Sequence, residues 1–119
     1  MVIKKGYKIY KQGKSYVIYF PKLLLTLLGL DKGDRLTIYA ENGKIFVERG
    51  VGNNVTTKGN LITTIRLVGR AKKDDDVYGI TIPASIVSQI RLDVKYTFNL
   101  IEKRKDGYFK MALVPVGSS

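Results

Sequence analysis

Six lysines, Lys4, Lys5, Lys8, Lys11, Lys14 and Lys22, come before the first acidic residue of the chain, Asp31. Amines at that density, with no carboxylate among them, do one kind of chemistry well: they attract and hold polyanions, above all the phosphates of nucleic acid. Over the 119 residues the net charge is +11, and past Asp31 acids and bases are mixed, so the unopposed field belongs to the first part of the chain. A basic surface that serves only solubility is the plain alternative. An anionic membrane suits the pattern less well, because the lysines lie in strand-like rather than helical sequence.

A second basic group, Arg66, Arg70, Lys72 and Lys73, is followed at once by Asp74-Asp75-Asp76. Arginine reads guanine bidentately better than lysine does, so Arg66 or Arg70 is a candidate for base contact. The aspartates would repel phosphate unless they pair with the basic residues or face away. They also offer carboxylates to a metal, although a solvated loop is the better reading. Among the eight tyrosines, Tyr10 and Tyr16 stand beside lysines and would suit stacking of single-stranded bases, while most of the others read as strand packing. Ser15 adds a neutral donor next to Lys14.

Composition removes other chemistries. Cysteine and histidine are both absent, which excludes disulfide scaffolds, zinc fingers, thiol nucleophiles and imidazole acid–base catalysis. No cluster of titratable residues is left to make an enzyme, and no cofactor or metal is expected. Gly50-Val51-Gly52 has no helix after it to form a phosphate-binding loop. No apolar run approaches a membrane span, since the longest, Leu23 to Leu30, is broken by Thr26. There is no signal-peptide pattern. A cytoplasmic, nucleoid-associated protein is the expectation.

The elements that would position these residues come from an internal repeat. Ser15-Tyr16-Val17-Ile18-Tyr19-Phe20-Pro21 aligns with Val77-Tyr78-Gly79-Ile80-Thr81-Ile82-Pro83, Leu30-Asp31 with Leu92-Asp93, and Asn42-Gly43 with Asp106-Gly107. Ile9 and Gly13 match Ile65 and Gly69 if Lys72 to Val77 is an insertion. This gives units at 1–49 and 61–116 joined by a polar, Gly-rich linker at 50–60. In each unit aromatic and β-branched runs predict a hairpin, a short helix after the proline, and a second hairpin. Leu23, Leu24, Leu27 and Leu28 are expected on one helix face, repeated by Ile86, Val87 and Ile90, with Gly29 as the helix C-cap. Ile9 marks the core side of the first strand, leaving Lys8 outside. Lys11, Lys14 and Lys22 are expected to group near the turn and the helix start, meeting successive phosphates. Neither unit buries its apolar face alone, so two must pair, within one chain or between chains.

Gly13, Ser15, Pro21-Lys22, Leu28-Gly29-Leu30, Lys32-Gly33-Asp34, Ile38, Asn42-Gly43 and Ile45 together resemble the AbrB/SpoVT swapped-hairpin family, which includes AbrB-type transcription regulators and MazE-type antitoxins. The second unit keeps Ile82-Pro83, Ile90, Leu92-Asp93 and the hairpin, but departs at Ala84 and at Lys95-Tyr96, where a basic residue and Gly-Asp would stand. The resemblance implies a mainly β fold with short helices, in which two tandem swapped-hairpin units form an intertwined β-barrel, as a homodimer or an intramolecular pseudo-dimer. It implies sequence-preferring binding of double-stranded DNA through the first strand, the loop after it and the helix start. The rival expectations are a protein-binding module of antitoxin-like type, and an architectural protein that coats DNA without preferred sites.

Overall fold

Alternating aromatic and β-branched residues make most of this chain strand. A computed structural model describes residues 5–50, 61–72 and 75–117. The first unit runs β1 (Ile9–Gln12), β2 (Ser15–Pro21), α1 (Lys22–Leu28), β3 (Arg35–Glu41) and β4 (Lys44–Arg49). The second runs β5 (Leu61–Lys72), β6 (Asp75–Ile82), α2 (Ala84–Val87), β7 (Tyr96–Lys103) and β8 (Phe109–Pro115). The β3–β4 turn is built on Asn42 and Gly43, both at positive φ (54° and 76°), as the two-residue turn that matches strand twist requires.

All eight strands form one antiparallel sheet, in the order β1-β2-β6-β5-β3-β4-β8-β7, curled into a half-barrel. Among the described residues its two ends touch at a single bridge, where Tyr7 and Tyr96 exchange backbone hydrogen bonds of 2.8 and 2.7 Å. With that bridge counted, the neighbour relations are unchanged when the two units are exchanged. The register agrees: Ile18 lies opposite Ile80, its own repeat equivalent, and Val47 lies opposite Met111, which is its equivalent. Inward-facing residues from both units make one core, including Ile18, Phe20, Leu36, Ile38, Val47, Ile65, Ile80, Phe98, Phe109 and Met111.

Three local expectations change. On α1 the buried residues are Leu24, Leu25 and Leu28, whereas Leu23 and Leu27 are 68% and 50% exposed. Five of the seven helix residues are leucine, so the pattern does not set the helix roll, which is decided by packing against β2 and β6. The α2 helix is only four residues long, and Ile90, though packed on the core, lies beyond it. Arg91 stands where Gly29 ends α1 at φ 74°, with the Lys103 side chain lying where a Cβ would project, and without such a residue the second helix has no left-handed cap. Finally, the supposed insertion at 72–77 is largely strand. Asp75 and Asp76 pair across the ladder with Lys72 and Arg70, and two irregularities in β5 absorb the extra residues.

Tyr96 shows how the divergent unit closes. In the first unit Asp34 accepts the Asp31 N–H at 2.9 Å and pairs with Arg49 at 2.6 Å. Tyr96 occupies the equivalent place, fully buried, its hydroxyl donating to the Arg91 carbonyl (2.8 Å) and accepting the Arg91 N–H (3.0 Å). Burial raises the hydroxyls of Tyr7, Tyr39, Tyr96 and Tyr108 above their usual pKa of 10.0. At Tyr39 the hydrogen bond and charge of Glu48 add to it. A raised folded-state pKa favours the neutral form, so this contribution is complete below the unfolded value and is lost as pH rises through the folded one. Stability measured by urea unfolding should therefore stay level up to about pH 9.5 with respect to these groups and fall above about pH 10. A flat profile through that range would contradict the assignment.

Candidate nucleic-acid interface

The half of the sheet made by β1, β2, β6 and β5 has a simple two-sided pattern. Ile9, Ile18, Ile80 and Ile65 share one level of the ladder and all face the core. Their neighbours in sequence must point outward. One outer row is Lys8, Tyr19, Gly79 and Arg66, and the next is Tyr10, Val17, Thr81 and Thr64. Exchange of the two units carries Lys8 onto Thr64, Tyr10 onto Arg66, Val17 onto Gly79 and Tyr19 onto Thr81, so the rows are related by a pseudo-two-fold through the Ile18–Ile80 pair.

Side-chain contacts respect that relation. Tyr10 rests against Tyr19 with ring centroids 5.8 Å apart, and the Tyr19 hydroxyl donates to Gln12 Oε1 at 2.8 Å. In the matching place Arg66 donates to Thr81 Oγ1 at 3.0 Å. Val17 is buried beneath these residues, and the absent side chain of Gly79 leaves room for Val68, which lies over it. None of the residues in the two rows is acidic. The outer face of the β3–β4 hairpin is different: it carries Glu41 and Glu48, the latter buried, accepting from the Tyr39 hydroxyl at 2.9 Å and lying 3.7 Å from Lys110 Nζ. Carboxylates thus mix with cations on that hairpin's outer face, whereas the two rows carry cations alone.

The sequence candidates distribute as follows. Lys8 and Arg66 are exposed on the outer rows, and Lys11, Lys14 and Ser15 are exposed at the β1–β2 turn. Lys5 is exposed near the opposite end of β1, its Nζ 5.7 Å from the Tyr7 ring centroid. Lys22 does not join Lys11 and Lys14. The whole of β2, seven residues, separates them by roughly 20 Å. Because Pro21 pairs with Val77, Lys22 instead lies toward the β5–β6 tip, where Arg70 and Lys72 stand opposite Asp76 and Asp75. Lys4, Lys73 and Asp74 lie outside the described residues, as do the side chains of Arg70, Lys72 and Asp75. Of the two tyrosines suited to stacking, Tyr16 packs on the core and only Tyr10 is exposed, at 52%.

Sequence reasoning did not anticipate Tyr19, Gln12 and Thr81 as the residues that hold Tyr10 and Arg66 in place. The signal was present: pairing Ile9 with Ile18 sets Lys8 beside Tyr19 and Tyr10 beside Val17, and Ile80-Thr81-Ile82 alternates with threonine outward. Among the described residues no helix is long and apolar enough to cross a membrane. Compared with family models, curated proteins and solved structures, the chain matches none of them.

Proposed function

We propose that the chain is a duplex-DNA-binding transcription regulator of AbrB-like type, and that the outer face of the β1-β2-β6-β5 half is its contact surface. The observation that carries this reading is the pair of acid-free outer rows bearing Lys8 and Arg66, with Lys11, Lys14 and Ser15 at the adjoining turn. The exchange-invariant strand order supports the swapped-hairpin architecture and, with it, a pseudo-dimer formed by one chain.

Dimensions support it too. The β1–β2 and β5–β6 turns lie beyond opposite ends of the β2–β6 ladder, which runs from Tyr16–Ile82 to Pro21–Val77. At about 3.3 Å per residue the ends of β2 and β6 next to those turns, Ser15 and Asp75, are roughly 26 Å apart. That span fits within one turn of B-DNA, about 34 Å, the usual spacing of two-fold-related contacts. Lysines at one tip would hold phosphates while Arg66 and the hydroxyls of Thr64, Thr81 and Tyr19 face base edges or sugars.

The test is a salt titration of the intact chain with a genomic duplex. Three phosphate contacts, from Lys8, Lys11 and Lys14, give a slope of log K against log salt of roughly −2.7. Footprinting over the same fragment should show discrete protected sites. Binding with no salt dependence sinks the DNA reading. Uniform protection leaves an architectural protein in place of a regulator.

A further inference from the structure

Tyr10 is the one exposed tyrosine of the eight. Tyr78 and Tyr96 are buried, and Tyr7 and Tyr16 pack on the core. Tyr39 stacks on Phe46 with centroids 5.2 Å apart, and Tyr108 lies under the Arg104 guanidinium at 4.3 Å. Tyr19 is half-buried and tied to Gln12. Tyr10 alone has half its surface in water, and it stands in the outer rows that carry Lys8 and Arg66 and no carboxylate. Its ring is supported from one side by Tyr19, inclined at 42°, and Tyr19 is itself fixed by its hydrogen bond. The ring is therefore held against Tyr19 with about half of the residue's surface, 52%, in water.

Such a ring is a stacking surface for a nucleobase that is not already stacked in a duplex. Base–aromatic stacking tolerates any base, because every base has a π-face, and it needs a nearby cation to hold the backbone. Lys8, exposed just before β1 and two residues from Tyr10, provides that cation. Across the sheet Arg66, braced by Thr81, offers a second cation or a planar guanidinium. The pseudo-two-fold gives no second platform, since Arg66 stands where Tyr10 would be repeated.

We propose that Tyr10 is a stacking site for an unpaired base, so that the face described above takes single-stranded DNA as well as duplex, with Lys8 holding the adjacent phosphate. This goes beyond the duplex reading and shares only its cations. The phenolic ring supplies the stacking, and its hydroxyl is not required.

Anisotropy titrations of a labelled oligothymidylate and of a duplex of equal length, with the intact chain, Tyr10→Ala and Tyr10→Phe, test the two readings separately. Loss of one stacked base weakens binding by roughly tenfold. The expected result is a loss of about that size for Tyr10→Ala on oligothymidylate, with a clearly smaller loss on duplex and Tyr10→Phe binding both probes like the parent. A 5-iodouracil strand should also photo-crosslink to Tyr10. The proposal is overturned if Tyr10→Ala binds oligothymidylate unchanged, or if it loses both probes equally while remaining folded. Single-strand binding that depends on Tyr10 in a chain that binds no duplex would instead overturn the duplex reading and keep this one.

Discussion

Replacing Lys8, Lys11 and Lys14 together with alanine should reduce the salt slope for duplex DNA by about 2.7 and weaken binding at 0.1 M salt by roughly 500-fold. The size follows from counterion release. Each phosphate contact contributes about 0.9 to the slope, and the electrostatic part of the affinity vanishes near 1 M salt, so three contacts amount to about 2.7 decades at 0.1 M. The three side chains are exposed, and none belongs to the core. Their removal should therefore leave thermal stability nearly unchanged, which is the usual outcome for surface substitutions. A folded triple variant with the parent's affinity and slope would show that the contact surface lies elsewhere.

Phe98→Ala should cost about 3–5 kcal/mol, the largest effect on stability expected from a single substitution here. The ring is fully buried and meets Phe20 and Tyr7 edge-on, each with centroids 5.5 Å apart. It joins β7 of the second unit to β2 and to the Tyr7 segment of the first. Truncation removes the transfer energy of a large aromatic, leaves a cavity between units and ends two ring pairs, which together give that range. Urea unfolding followed by far-UV circular dichroism measures it. A loss below about 1 kcal/mol would mean that the site collapses without penalty, against the close packing assigned to it.

Much of the local structure was legible because local physics writes it. The Pro21 and Pro83 registers, the Asn42-Gly43 turn, the left-handed Gly29 cap and the inward Ile9 were all readable from residue type and alternation. The roll of α1 was not, since a helix that is nearly all leucine specifies burial but not which side is buried. Nor was the position of Lys22 relative to Lys14. A strand fixes that distance, and sequence adjacency to Pro21 hid the seven residues between them. Leu92 aligns with Leu30 but is 37% exposed against 3%, because the chain after the shorter second helix follows a different path, held by the Tyr96 hydroxyl. Cross-unit pairing, on which both outer rows depend, is set by packing between distant segments, and a period of two cannot distinguish one register from the next equivalent one. On the site, the charges were legible, but the hydrogen bonds that brace Tyr10 and Arg66 required the ladder.

The pairing of Ile18 with Ile80 and of Val47 with Met111 also bears on how the molecule is made. Each pair joins residues more than sixty positions apart in sequence, so the central ladders are the last to be rewarded during folding, and hairpins must form before they close. A chain with such distant contacts folds slowly for its size, on the millisecond to second scale. Were the same ladders formed by separate molecules, that closing step would be second order. On one chain the linker holds the partner at an effective concentration in the millimolar range, so the folding rate of this protein should not depend on how dilute it is.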